Sequence, residues 1–190
     1  MTGENFYTVF ETVAGFAAIG WNAKGINSFR LPAGNAHEAE RALLRRLPDA
    51  RPATPPAAVQ AVIEDALRYF AGERVDFANV PVDLGAQQPF FDRVYAAVRQ
   101  LGWGETATYG AIAKLLEAGP EFARDVGQAM AANPVPLIIP CHRVTAANGR
   151  IGGFSAPGGS HSKAQMLGIE GVEVRDGVVT RELPQLGLGF

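Results

Sequence analysis

The 190-residue chain is short of the residues that cross-link or hold metals: it has one cysteine, Cys141, and three histidines, His37, His142 and His161. A lone cysteine excludes a disulfide within the chain and fits a reducing, cytoplasmic setting. A structural zinc site takes about four Cys/His ligands and a catalytic one about three. His37 lies far from the others in sequence, and adjacent Cys141 and His142 would ligate one ion awkwardly, so no metal and no cofactor is expected. No apolar run approaches the ~18 residues of a membrane span. The segment Met1–Tyr7 carries Glu4 and has no basic stretch leading into an apolar one, so neither membrane nor secretion is expected. The net charge of -2 and pI near 5.9 lack the positive excess of a protein that holds nucleic acid by bulk charge, which leaves only a local basic face for that purpose. With 47% hydrophobic and 19% charged residues, there is apolar material for a packed core, and a largely disordered chain is excluded.

The first 85 residues read as a mixed α/β unit. Phe6–Phe10, Phe16–Trp21 and Ile26–Leu31 are rich in β-favouring types and separated by turn residues. Asn35 can cap a helix from about Ala36 to Leu47, which Pro48 would end. Arg51–Pro56 holds three prolines and reads as a loop. From Ala57 to Phe70, apolar Val59, Val62, Ile63, Ala66 and Phe70 share one helical face. Val75–Leu84 alternates apolar with small or polar residues and reads as a further strand. No catalytic grouping occurs here, so residues 1–85 are expected to be a scaffold domain.

Gly85-Ala86-Gln87-Gln88-Pro89 marks a boundary, beyond which the pattern turns helical. Val94, Ala97, Val98 and Leu101 follow helical spacing, Thr108 can cap a helix from Tyr109 to about Glu117, and Pro120 suits the first turn of a third, to about Ala131. Two helices joined by a short glycine-containing turn have the layout of a helix-turn-helix. A second domain is thus expected over 86–175, followed by a tail, 176–190.

The chemistry concentrates in Pro134–Phe154, PVPLIIPCHRVTAANGRIGGF. A lone cysteine after an apolar run is by default a packed, inert thiol. His142 and Arg143 beside it would be unwelcome in a dry core, and the prolines restrict the backbone as a fixed site would need. An imidazole that accepts the thiol proton, and a nearby guanidinium, would both favour the thiolate. A carboxylate should then orient the imidazole, and Glu170 and Glu173 are both candidates. From the residues alone, a reactive cysteine of unknown substrate is the preferred reading.

Pro140-Cys141-His142-Arg143-Val144, preceded by Asn133-Pro134-Val135-Pro136-Leu137-Ile138-Ile139, resembles the active-site signature of the O6-alkylguanine-DNA alkyltransferases, also called methylated-DNA–protein-cysteine methyltransferases. The likeness runs through Pro89-Phe90, Gly104–Gly110, Ala123–Met130, Gly152–Ser155, Lys163 and Glu170-Gly171, about half the chain in the same order. It implies an N-terminal ribonuclease-H-like α/β scaffold and a C-terminal winged-helix-like domain. It also implies a monomer that binds double-stranded DNA containing O6-alkylguanine, with O4-alkylthymine as a further substrate, and repairs it in a single turnover. Cys141 would be the nucleophile, and His142 would take its proton through a water held by Glu170. Tyr109 would donate to the departing guanine, and Asn133 would brace the active-site turn. The helix carrying Arg124 would enter the minor groove, with Arg124 filling the gap left by the flipped nucleotide and Ala123 and Gly127 allowing close approach. Arg143, backbone groups near Val144 and Ser155, and apolar Met130 and Phe154 would contact the base, and Lys163 would help close the pocket.

Phe154 stands where many of the family carry tyrosine, and Phe122 and Asp125 occupy a helix where small residues are common. The competing expectations are a DNA-lesion sensor without transfer chemistry, and a cysteine hydrolase that never meets DNA.

Overall fold

A computed structural model describes residues 3–181, which fall into two compact units. The first comprises residues up to Gln87 together with Pro134–Ile138; the second comprises Gln88–Asn133 and the chain from Ile139 onward. Both mix helix and strand, so the α/β character expected from the sequence is present.

In the first unit, β1 (Phe6–Thr12), β2 (Gly15–Asn22) and β3 (Gly25–Ala33) form an antiparallel meander. The turn into β2 needs glycine: Gly15 has φ +123°, and a Cβ there would sit 2.4 Å from the Ala33 carbonyl oxygen. Helix α1 (Ala36–Leu44) begins at Asn35, whose side chain accepts from the Glu38 N–H at 2.9 Å. It stops three residues before Leu47 because the chain tightens ahead of Pro48, with Arg46 N–H donating to Leu43. Its inner face, Ala39 and Leu43, packs with Tyr7, Ala18 and Ala33. Helix α2 (Ala57–Phe70) has the expected bounds, and Val59, Val62, Ile63, Ala66, Tyr69 and Phe70 are buried along it.

Two expectations in this unit need correction. Arg51–Pro52 is not loop but β4, paired parallel to β1 as the fourth strand of the sheet β3-β2-β1-β4. Proline is tolerated because Arg51 and Ala53 make the ladder bonds, to Asn5 and Tyr7, and Pro52 faces outward at the edge. Val75–Leu84 is not a strand. Asp76 folds it into a turn by accepting from Ala78 N–H, and only one parallel bridge, Ile26 to Val82, survives beside Pro81. Its alternation reflects separate anchors: Val75 and Phe77 are buried, and Phe77 meets Tyr69 edge-on at 6.2 Å.

The second unit contains α3 (Pro89–Val98), α4 (Tyr109–Leu115), α5 (Ala123–Ala132) and α6 (Ser160–Ile169). Thr108 caps α4, its hydroxyl accepting from Ala111 N–H at 3.0 Å. Pro120–Phe122 is a 3₁₀ turn rather than the start of the next helix, so α5 begins at Ala123. Tyr95 of α3 fixes α5 by donating from its hydroxyl to the Ala129 carbonyl at 2.9 Å. A short parallel pair, β5 (Ala107–Thr108) with β6 (Val144–Thr145), brings the start of α4 beside the Cys141 turn. The hairpin of β7 (Glu173–Arg175) and β8 (Val178–Arg181) takes up the first residues of the expected tail, and 182–190 lie outside the described residues. No helix among the described residues is long and apolar enough to cross a membrane.

Candidate active site

The prolines around Cys141 shape a rigid turn. Pro140, at φ -78° and ψ 65°, sits in an inverse γ-turn, closed by Cys141 N–H donating to Ile139 at 2.8 Å. Cys141–Arg143 then form one 3₁₀ turn, and Arg143 N–H donates to Pro140 at 2.9 Å. Asn133, at the end of α5, donates from its side-chain amide to the Ile139 carbonyl at 2.9 Å, tying helix to turn.

Cys141 is 5% exposed, and it opens on a cavity of about 430 Å³, a volume within the range of small-molecule sites. Tyr109, Gly127, Met130, Ala131, Gly153, Phe154, Ser155 and Lys163 line the rest. Gly152 lets the wall pass close to Tyr109: it has φ +76°, and a Cβ there would lie 3.2 Å from the Tyr109 hydroxyl. Lys163 is almost fully buried and donates to the Val144 carbonyl at 2.6 Å. Its ammonium lies 3.5 Å from the Tyr109 hydroxyl, 5.7 Å from the Tyr109 ring centre and 5.8 Å from that of Phe154. Burial lowers the Lys163 pKa to about 8, against the opposing pull of Cys141. The Tyr109 hydroxyl is pushed up by burial and by the sulfur's charge, which keeps it a proton donor at neutral pH.

Behind the thiol lies a closed polar network. Glu170 is fully buried, and its Oε1 is 2.6 Å from His142 Nε2. Arg143 grips the same carboxylate with two nitrogens, at 2.9 and 3.0 Å, and Gly104 N–H donates to it at 3.0 Å. A third guanidinium nitrogen donates to the Leu101 carbonyl. Burial opposes the charge on Glu170, but the imidazole and guanidinium outweigh it and hold the carboxyl well below its usual range. Burial drives His142 down; Glu170 pulls it up, and Arg143 and Lys163 add to the downward push.

This geometry revises parts of the sequence reading. The Cys141 thiol is pushed up, not down, because burial outweighs the Asn133 side chain, the Lys163 charge and the local N–H groups. The cation facing the sulfur is Lys163, not Arg143. Arg143, expected at the base, is 8% exposed and turned inward onto Glu170 and Leu101. Of the two carboxylates left open, Glu170 and not Glu173 meets the imidazole. The Val144 carbonyl, among the backbone groups expected near the base, also accepts from Lys163 at 2.6 Å. Of the remaining candidates, Tyr109, Met130, Phe154, Ser155, Lys163 and Gly127 line the cavity with Cys141, and Arg124 is exposed on α5 outside its lining, with Ala123 half-buried beside it. Sequence reasoning missed the inward supports from Leu101 and Gly104, since carbonyl and N–H contacts leave no residue-type signature. Among the described residues, no group of three or more His, Cys, Asp or Glu is placed to hold a metal.

Residues 89–172 match the family model described as 6-O-methylguanine DNA methyltransferase, DNA binding domain. A methylated-DNA–protein-cysteine methyltransferase of Mycolicibacterium paratuberculosis is 38% identical over 115 residues, covering 60% of this chain and 67% of that protein. The chain belongs to the methylated-DNA–protein-cysteine methyltransferase family. A relative of the same name from Metallosphaera sedula is 45% identical over 103 residues, which span 54% of this chain and 62% of the archaeal protein, less than two thirds of its length. In fold, the chain matches the crystal structure of Mycobacterium tuberculosis OGT in complex with DNA with a TM-score of 0.70 and 29% identity, over 87% of this chain and 93% of that one.

Proposed function

We propose that this protein repairs DNA in the cytoplasm, acting as a monomer that moves the alkyl group of O6-alkylguanine onto Cys141 in one irreversible turnover. The observation that carries this reading is the thiol at the wall of a base-sized cavity, with Tyr109 and Lys163 on one side and the His142–Glu170–Arg143 network behind it. The M. tuberculosis structure with DNA supports the partner class. A base must leave the stack to reach such a cavity, at a cost of a few kcal/mol. Exposed Arg124 on α5 suits the emptied position, and Gly127, with no atom within 4 Å of its would-be Cβ, keeps the helix surface low.

His142 takes the thiol proton through an intervening water. The sulfur attacks the alkyl carbon in line, the S–C bond forms and the C–O6 bond breaks. Tyr109 donates a proton as charge develops on the leaving guanine, and the proton on His142 restores the balance. A thioether is a poor leaving group, so the protein is consumed. Burial raises the thiol pKa, so the proton has to leave Cys141 before or as the sulfur attacks. Asn133 holds the turn, Met130 and Phe154 supply apolar walls to the base, Ser155 sits at the cavity rim, and O4-alkylthymine is a second, smaller substrate.

We also read the first unit as ribonuclease-H-like, a reading supported by the order β3-β2-β1-β4 with β4 parallel to β1, and the second as winged-helix-like, supported by α4 and α5 with the β7–β8 hairpin. Domains over 1–85 and 86–175 accompany that reading. Incubation with duplex DNA carrying O6-methylguanine should add one methyl to Cys141, at one equivalent and no more, by intact-protein and peptide mass spectrometry. Unmodified protein on fully bound DNA would remove the transferase reading in favour of a sensor. Cys141→Ala should keep DNA binding and lose transfer.

A further inference from the structure

Arg143 stands in the signature run beside the nucleophile, yet its guanidinium neither lines the cavity nor faces solvent. Its Nε and one terminal nitrogen hold both oxygens of Glu170, and another terminal nitrogen is fixed on the Leu101 carbonyl. Glu170 therefore serves two donors at once, the guanidinium and the imidazole at 2.6 Å. We infer that Arg143 is a positioning residue that keeps His142 neutral, and so able to accept a proton, by neutralising the carboxylate the imidazole leans on.

The physical reasoning starts from the acceptor. An ionised carboxylate only accepts, so at 2.6 Å the hydrogen belongs to His142 Nε2, and Nδ1 becomes the basic atom of the ring. A buried carboxylate facing an imidazole alone would draw a second proton onto the ring, giving a stable imidazolium–carboxylate pair. Such a pair cannot take a proton from a thiol. Arg143 prevents this because its charge is permanent and its fork matches both carboxylate oxygens. The other groups facing the imidazole act in known directions. Lys163, from α6, adds a repulsive positive charge, and the Gly104 N–H further satisfies the carboxylate. Cys141, its neighbour on the same turn, is neutral while protonated. Once the thiol proton reaches His142, the carboxylate holds imidazolium and guanidinium together, a costlier state that favours passing the proton on.

This inference rests on the proposed transfer chemistry, and the test separates the two. Arg143→Gln should leave the affinity for O6-methylguanine duplex unchanged, since the side chain points away from the cavity. The acid limb of the single-turnover transfer rate should move up by about one pH unit, a roughly tenfold loss of rate on that limb. Histidine NMR, with His142 assigned by its loss in His142→Gln, should show the His142 titration in Arg143→Gln moved up by about one pH unit from its position in the parent protein. Arg143→Lys, which keeps the charge without the fork, should fall between the two, and it carries the test if Arg143→Gln does not fold. A folded Arg143 variant whose acid limb and His142 signals stay in place would overturn the inference, as would weaker DNA binding with an unmoved pH profile. If the parent protein transfers nothing, the function reading fails, while the NMR titration still decides whether Arg143 sets the proton affinity of His142.

Discussion

The two units bury different kinds of polar group. The first hides neutral ones, Thr12, Asn27 and Ser28, among aliphatic and aromatic residues such as Ile19, Phe29, Leu43 and Tyr69. The second hides His142, Arg143, Lys163 and Glu170, and every buried Lys, Arg, His or Glu among the described residues lies there, around one thiol. Ion pairs of the first unit sit on the surface, as in Arg68 with Asp65 and Glu73, where side chains are about half exposed. Burying charge costs several kcal/mol per ion unless geometry and hydrogen bonds return it. A scaffold has no reason to carry that cost, whereas a site that moves a proton needs groups whose charge is set by their neighbours.

The sharpest way to probe this contrast is Glu170→Gln, which leaves the Arg143 guanidinium buried without its counter-charge. It should cost about 3–5 kcal/mol in denaturant unfolding of the second unit. That is comparable with the roughly 2–5 kcal/mol expected for Leu43→Ala in the core of the first. An effect under 1 kcal/mol for Glu170→Gln would mean the network is not the keystone of its unit.

Acid should separate the units in the same direction. The folded-state pKa of Glu170 is held below its unfolded value, so the unfolded chain binds more protons once pH falls through the ordinary carboxyl range of ~4.3. The stability that Glu170 contributes is fully present above that range and lost progressively below it. Unfolding followed by Trp103 fluorescence, in a Trp21→Phe background, should therefore show the second unit weakening as pH drops below ~4.3, and Glu170→Gln should flatten that dependence.

Tyr109→Phe should slow transfer about 10²-fold, the usual reach of a positioned proton donor, with DNA affinity little changed. Rapid-quench single-turnover rates on O6-methylguanine duplex would measure it, and an unchanged rate would assign proton delivery elsewhere. The smallest expected effect is in the first unit. Arg68→Ala removes only exposed ion pairs, so no measurable change in Tm is expected by calorimetry. A clear drop would blur the contrast between surface and buried charge.

Much of the local structure was legible along the chain. Helix α2 follows from the spacing of Val59, Val62, Ile63 and Ala66, and the caps at Asn35 and Thr108 act through groups three residues away. The loop reading at Arg51–Pro52 and the strand reading of Val75–Leu84 differ from the structure for one reason: strand pairing depends on partners distant in sequence. The two-residue β4 exists only because β1 offers an edge, and Val75–Leu84 loses its ladder because Asp76 and Pro81 turn or block the backbone.

At the site, residue order alone determined that a Pro-Cys-His-Arg run would hold a constrained cysteine, because proline geometry and residue chemistry are local facts. The fold alone decided that Glu170 rather than Glu173 meets His142, that Arg143 turns inward, and that burial raises the thiol instead of lowering it. Those outcomes join groups 28, 27 and 66 residues apart in sequence, as in Glu170 with His142, with Arg143 and with Gly104. Electrostatic influence at such a site depends on distance and on the exclusion of water, and neither exists until the chain has closed around it.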